Sequence, residues 1–260
     1  MSAENYKVSI ITICYNAEGE IERTMKSVLE QTLNNYEYII VDGASRDRTM
    51  DVISSVLKLY DSSKVKVISE PDKGIYDAMN KGVNLASGEW ICMMNAGDIF
   101  ATKNVLSEIF CREIPNNISF LYSDFYKATS LGKYFRVQTY CNDKGRFLVH
   151  QSVIYKKRLH EQYGYYVVTP KIIISDALFF LQIPVNETQK VDTVIAKYEG
   201  RGISEQGSWC VKQMICANVV YRNKDFWGIY YDYIKWKVKH LIPLRTRERV
   251  RLLTAGVDNV

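Results

Sequence analysis

Four short polar clusters in the first hundred residues combine side chains suited to a charged, oxygen-rich ligand. They are Tyr15-Asn16, Asp42-Gly43-Ala44-Ser45, Glu70-Pro71-Asp72-Lys73-Gly74 and Asn95-Ala96-Gly97-Asp98. Tyr15 offers a ring that can stack on a planar base. Asp42 can accept hydrogen bonds from a base edge or a ribose hydroxyl. Asp98 can ligate a hard divalent cation, which commonly takes one or two carboxylates and completes its shell with phosphate oxygens. Together these residue types describe a site for a nucleoside diphosphate. The usual phosphate-binding fingerprints are missing. After the first apolar run the chain reads Cys14-Tyr15-Asn16-Ala17-Glu18-Gly19 rather than GxGxxG, and no P-loop, HExxH or GxSxG pattern occurs.

The elements between the clusters explain why they converge. Val8 to Cys14, Tyr36 to Asp42, Val65 to Ser69 and Trp90 to Met94 are β-branched or apolar runs, beginning 25 to 29 residues apart. Between them, Glu18 to Thr32 carries Ile21, Met25, Val28 and Leu29 at helical spacing. Met50, Ile53, Val56, Leu57 and Tyr60 mark a second helix face, and Ile75, Met79, Val83 and Ala86 a third. Strands alternating with helices predict right-handed βαβ crossovers and a parallel sheet covered on both faces. In such sheets ligands bind at the carboxyl ends of the strands, where all four clusters fall. Beyond Ala101 the pattern loosens, with strand-like pieces at Phe120 to Phe125 and Gly132 to Tyr140 and a helix at Ser175 to Gln182. From Ser208 onward helical segments rich in Trp, Tyr, Lys and Arg dominate.

The bulk properties narrow the field further. A chain of 260 residues that is 47% hydrophobic and 24% charged reads as globular, and excludes collagen-like, coiled-coil and largely disordered classes. No apolar stretch reaches the roughly 18 to 20 residues of a membrane span, and Met1 to Lys7 is too polar for a secretory signal. Six scattered cysteines without a CxxC pair predict neither zinc nor a disulfide framework, as in a reducing cytosol. Of the net charge of +5, the segment from Tyr221 to Arg251 holds nine basic and three acidic residues, a local +6, and leaves −1 for the rest. Nothing resembles a recognition helix, zinc finger or RNP motif, so no nucleic-acid partner is expected.

The motifs also carry a family resemblance. VSIITICYN, IIVDGASRDRT, SEPDKGIYDAMNKG and ASGEWICMMNAGD follow in order, nearly without gaps, from Val8 to Phe100. They resemble the nucleotide-binding half of family 2 glycosyltransferases with the GT-A fold. His150-Gln151-Ser152, Ile174-Ser175-Asp176-Ala177-Leu178 and the run from Tyr198 to Ser204 (YEGRGIS) are similar to the acceptor half of bacterial polysaccharide and O-antigen enzymes of that family.

The resemblance implies an α/β GT-A fold whose mostly parallel central sheet is flanked by helices. A catalytic domain would span 1–205, with a nucleotide-sugar-binding half at 1–100 and an acceptor half at 101–205. A helical extension would follow at 206–260. By position, Thr12, Tyr15, Asn16, Asp42, Asp72, Lys73 and Asn95 would bind the nucleotide-sugar, Asp98 would hold Mn²⁺ or Mg²⁺, and Asp176 would be the general base. The DxD-type motif is reduced to Asn95-Ala96-Gly97-Asp98, so the cation would depend on Asp98, the diphosphate and water. The implied reaction is one in-line displacement that inverts the anomeric carbon, with a carboxylate taking the acceptor's proton. Burial would raise Asp176 toward the working pH. His150, with a natural pKa of about 6.5, is the rival base. The implied donor is a UDP-sugar, and the implied acceptor a lipid-linked glycan of bacterial surface polysaccharide.

Plainer readings compete at several positions. Asp42 could be a turn or cap group, and Asp47, Asp51 and Asp77 read as helix-surface charges. An acidic residue such as Asp176 in a first helical turn also suits the helix dipole. The basic, aromatic tail fits either an amphipathic helix at the inner face of an anionic membrane or a helix packed on the domain with a solvated basic face. At the level of function the alternatives are a nucleotidyltransferase, which would open on a Gly-rich basic loop, and a nucleotide-sugar-binding protein without turnover.

Overall fold

The computed structural model describes residues 6–130, 132–143, 145–198, 208–222 and 226–254. Strand β1 (Val8–Cys14) is buried along its whole length, because it runs through the middle of a sheet covered on both faces. Its residues alternate between two cores. Val8 and Ile10 pack with Ile21, Met25 and Val28 of α1 (Ile21–Leu29) and Ile53 and Val56 of α2 (Thr49–Leu57). Ile11 and Ile13 face the opposite way, toward Met79 and Val83 of α3 (Ile75–Leu85) and Phe179 and Phe180 of α6 (Ser175–Gln182). Fully burying each such side chain contributes roughly 1.5–3 kcal/mol.

Around β1 lie β2 (Tyr36–Asp42), β3 (Val65–Ser69) and β4 (Trp90–Met93), all parallel to it. The sheet continues from β4 through β11 (Val153–Lys156) and β6 (Phe120–Tyr122) to β12 (Thr188–Lys190), giving seven strands in the order β12-β6-β11-β4-β1-β2-β3. Only β11 runs against the others. A four-stranded sheet pairs β5 (Ile99–Phe100), β13 (Ala196–Tyr198), β7 (Phe125–Ala128) and β8 (Tyr134–Val137). The hairpin of β9 (Tyr140–Asn142) and β10 (Gly145–Phe147) follows β8, and the short helices α4 (Val105–Phe110) and α5 (Arg158–Tyr163) follow β5 and β11.

The first half follows the sequence expectation closely, and the second departs from it in two places. The run from Phe120 to Phe125 is not one strand. It breaks at Ser123-Asp124, and its halves join different sheets. The buried Asp124 carboxylate fixes the break by pairing with Arg136 Nε at 3.0 Å and Lys190 Nζ at 2.6 Å. The antiparallel β11 lies in the unassigned stretch after His150, because four residues between a 3₁₀ turn and a helix give no periodic signal.

Three helices end the chain: α7 (Trp209–Arg222), α8 (Phe226–Leu241) and α9 (Leu244–Thr254). Both ends of this extension are tied to the second half of the body. Trp209 Nε1 donates to Lys171 O at 2.9 Å, and Gln213 Oε1 accepts from Ile173 N at 3.0 Å. On α9 the buried Glu248 accepts from the backbone N of Ser130 at 3.2 Å and from its hydroxyl at 2.5 Å. No helix among the described residues is long and apolar enough to cross a membrane. Of the YEGRGIS motif only Tyr198 is described, at the end of β13; residues 199–204 lie outside the described residues.

Candidate active site

The carboxyl ends of β1, β2 and β3 lie side by side, with Cys14, Asp42 and Ser69 in register, and form one wall of the candidate site. Tyr15 follows β1 directly and is 59% exposed, so its ring is available for stacking. Gly43 follows β2. A Cβ there would stand 2.4 Å from Asp72 Oδ2 and 3.3 Å from Tyr15 Cδ2, so only glycine lets these side chains close over the backbone. Asp72 also accepts the Gly74 N–H at 2.8 Å, which orients its carboxylate at the start of α3. Lys73 is exposed, while its backbone N–H is held by Asp77 Oδ2 at 2.9 Å. Asn16, at φ 49°, takes the left-handed conformation that Asn tolerates, and its Oδ1 accepts from Arg46 N at 2.8 Å. It thereby ties the loop after β1 to the loop after β2.

Two residues expected at the ligand stand behind the wall. Asp42 is fully buried, and its carboxylate accepts from Ser45 N (3.0 Å), Ser45 Oγ (2.5 Å) and Ser69 Oγ (2.6 Å). These bonds tie Asp42 to the loop after β2 and to the end of β3. Thr12 is also fully buried. Its hydroxyl donates to Met94 O at 2.6 Å and accepts from Tyr38 OH at 2.9 Å, so it is a tie inside the sheet. A strand residue whose side chain points into a core cannot reach the strand's end.

The other wall brings together residues far apart in sequence. Asp98 follows a tight turn after β4, in which Asp98 N donates to Asn95 O at 2.9 Å and Gly97 takes φ +100°. Arg23 donates to Gly97 O at 2.7 Å and Thr24 to Asp98 O at 2.8 Å, so α1 fixes this turn. The Asp98 carboxylate is buried and faces the residues before β11: Gln151 Nε2 at 3.3 Å and His150 Nε2 at 3.8 Å. The His150 Nδ1 lies 3.3 Å from Asp176 Oδ2, in the first turn of α6. Asp176 Oδ1 in turn accepts from Tyr76 OH at 2.9 Å.

One imidazole is therefore shared by two carboxylates. Burial alone would lower His150, but its hydrogen bonds to Asp176 and Asp98 and their charges outweigh that and push it up to about 9. That direction favours the imidazolium, which has no lone pair to take a proton, and so favours Asp176 over His150 as the base. Burial raises Asp98 above the usual carboxylate range, with His150 and Gln151 only partly opposing it. For Asp176 the sequence expectation needs correcting. Burial does raise it, but the His150 bond and charge and the Tyr76 hydroxyl reverse the sign and hold it below its ordinary value. Asp176 is ionised at neutral pH, and its remaining lone pairs can take a proton.

Tyr76 and Asn80 carry contacts that the sequence reading missed. They stand one turn apart on α3. Tyr76 reaches Asp176, while Asn80 bonds the Tyr166 backbone in both directions, at 2.8 and 3.0 Å. A polar pair at i, i+4 on an otherwise apolar helix face was the available signal.

Whether the site fits a divalent cation turns on Asn95. Its amide lies 2.9 Å from His150 Nε2, and its other polar atom is buried without a partner. If Nε2 is bare, the amide nitrogen donates and Oδ1 is left over, an oxygen suited to a cation. If Nε2 carries a proton, the amide turns and its nitrogen is left over, a donor suited to a phosphate oxygen. With His150 raised toward the imidazolium the second case applies, so Asp98 fits a cation that takes its other ligands from phosphates and water, and Asn95 offers its amide to a phosphate oxygen. Among the described residues no group of three His, Cys, Asp or Glu could hold a metal alone.

Comparison with known proteins agrees with this geometry. Residues 9–112 match the family model described as Glycosyl transferase family 2. The chain is 31% identical over 156 residues to the UDP-Glc:alpha-D-GlcNAc-diphosphoundecaprenol beta-1,3-glucosyltransferase WfgD of Escherichia coli, covering 60% of this chain and 56% of that protein. It therefore spans little more than half the length of that relative. A PGL/p-HBAD biosynthesis glycosyltransferase of Mycobacterium tuberculosis is 25% identical over 211 residues, 78% of this chain and 79% of the relative. Among solved structures, S. aureus TarS 1-349 in complex with UDP-GlcNAc superposes with TM-score 0.66 at 17% identity, covering 83% of this chain and 65% of that one. The mannosyltransferase PcManGT from Pyrobaculum calidifontis, in complex with GDP-Man and Mn²⁺, gives TM-score 0.67 at 13% identity, covering 86% and 66%. The chain has the GT-A fold of these enzymes.

Proposed function

We propose, from the match of residues 9–112 to the family 2 glycosyltransferase model, that the chain transfers one sugar from a nucleotide-diphosphate donor to a glycan acceptor with inversion at the anomeric carbon. One observation carries the reading. His150 joins Asp98, at 3.8 Å, to Asp176, at 3.3 Å, so a cation or phosphate site and an ionised base share one cluster. The donor is a UDP-sugar and the acceptor a glycan on a lipid carrier, in keeping with the UDP-GlcNAc bound by TarS and the diphosphoundecaprenol substrate named for WfgD. The reaction takes place at the inner face of a bacterial membrane, which the tail touches.

In this mechanism the base stacks on Tyr15, Asp72 meets the ribose or base edge, and Lys73 reaches the phosphates. Asp42, Ser45 and Asn16 keep the loops after β1 and β2 in place. The acceptor hydroxyl gives its proton to Asp176, whose carboxylate Tyr76 and His150 orient from either side. General-base assistance of this kind contributes typically 10²–10⁴-fold. Asp98 would hold a divalent cation, which when bound stabilises charge on the departing diphosphate, and the Asn95 amide would donate to a phosphate oxygen. His150 lies between Asp98 and Asp176 and offsets their mutual repulsion.

The test is Asp176→Asn. Donor affinity, read as the thermal shift with a panel of UDP-sugars, should be unchanged. Transfer should fall at least ~100-fold. Equal loss of both would remove Asp176 from the role of base. Donor binding by the native chain with no turnover, with or without Mn²⁺, would point instead to a binding protein.

A further inference from the structure

Along α8, Trp227, Tyr230, Tyr231, Ile234, Val238 and Leu241 follow one another at i, i+3, i+4, i+7, i+11 and i+14. At about 3.6 residues per turn these six side chains fall within an arc of roughly 100°. A stripe of that width ordinarily faces a core. Here it faces solvent, with Trp227 73%, Tyr231 59%, Val238 57% and Leu241 83% exposed. Tyr233 and Trp236, on the other side of the helix, are half-buried and stacked on each other at 6.1 Å.

Charge decides what could cover the stripe. Lys235 and Lys237 flank it on its two edges. Lys235 Nζ lies over the Tyr231 ring, 4.4 Å from its centroid, and Lys237 Nζ over the Tyr233 ring at 5.5 Å, so both exposed lysines hold their charge at the aromatic surface. The segment from Tyr221 to Arg251 carries a net +6. A second copy would set that charge against its own like, and a neutral apolar partner would leave it unanswered. An anionic lipid surface answers both features, since aromatic and aliphatic groups enter the headgroup layer while lysines meet phosphates. The helix has 16 residues, a length of roughly 24 Å, and lies along such a surface rather than crossing it. Its position also fits. The preceding helix α7 grips Lys171 and Ile173, just before Asp176, so the extension leaves the body on the acceptor side.

We infer that α8 docks in the plane of an anionic membrane leaflet through the stripe from Trp227 to Leu241, and that this holds a lipid-carried acceptor beside Asp176. The inference rests on the lipid-linked acceptor proposed above and adds the surface and the lipid charge. The full chain should co-sediment with phosphatidylglycerol-rich vesicles and stay in the supernatant with pure phosphatidylcholine. Val238→Asp/Leu241→Asp should abolish vesicle binding without changing the donor-induced thermal shift. Lys235→Gln/Lys237→Gln should weaken it about 25-fold, at about 1 kcal/mol per lysine, and serves as the deciding variant if the aspartates disturb folding. Failure to bind the anionic vesicles, equal binding to both kinds, or a dimer in solution that the aspartates dissociate would each overturn the proposal. Vesicle binding needs no turnover, so Asp176→Asn should bind like the native chain. Loss of transfer with vesicle binding intact therefore concerns the reaction alone.

Discussion

In the half proposed to bind the donor each polar cluster lies at the end of a parallel strand, and strand register alone brings the clusters to one edge of the sheet. In the acceptor half the working groups come from a 3₁₀ turn (His150), the first turn of α6 (Asp176) and a helix that belongs to the donor half (Tyr76). No regular repeat relates them. The donor wall is thus built by local backbone geometry, whereas the acceptor wall exists only through contacts between side chains distant in sequence. Substitutions in the two halves should therefore fail differently: in the donor half by losing shape, in the acceptor half by losing coupled charge.

The largest expected effect tests that coupling through pH. In the folded chain His150 is raised from 6.5 to about 9, so its protonation stabilises the native state fully below pH 6.5, and this is lost as pH rises through 9. A shift of that size corresponds to a contribution on the order of 3 kcal/mol. The difference in melting temperature between the native chain and His150→Gln should accordingly shrink between pH 6.5 and 9.5. A constant difference would mean that Asp98 and Asp176 do not share the proton-bearing ring, and the acceptor wall would need another account.

Gly43→Ala addresses the donor wall. Its methyl would sit 2.4 Å from Asp72 Oδ2, so Asp72 must swing away from Tyr15. Donor affinity should fall at least ~10-fold, the loss of about one charge-assisted hydrogen bond, while the turnover number stays near native. In the Asp72→Ala background the same glycine change should cost much less, which a double-mutant cycle by calorimetry would read. Additive losses would show that the fit between the two loops is not what the glycine protects.

Tyr76→Phe should have the smallest effect. It removes one donor to Asp176, so the turnover number should drop roughly 10-fold, the value of one hydrogen bond to a charged group, with KM for the donor unchanged. The acid limb of the pH–rate profile should move upward, because Asp176 loses one of the bonds that hold it down. A rise in donor KM instead would place Tyr76 with the donor wall and blur the division between the halves.

The sequence by itself determined the order of elements in the first hundred residues and the end of the sheet where the ligand clusters lie. Strand period, helix period and turn residues are local properties, and in a parallel sheet the carboxyl end of every strand faces the same side. It also singled out Asp98 and Asp176 through motif resemblance. Only the tertiary structure decided that Asp42 and Thr12 turn inward, since which polar group a loop consumes depends on neighbours such as Ser45, Ser69 and Tyr38. Only it reversed the expected direction for Asp176, because a pKa is set by the balance of burial against partners, and His150 and Tyr76 arrive 26 and 100 residues away. That the basic, aromatic tail could form an amphipathic helix was visible in the sequence, but not which of its residues face outward. Which side of a helix meets solvent is fixed by what the other side finds to pack against.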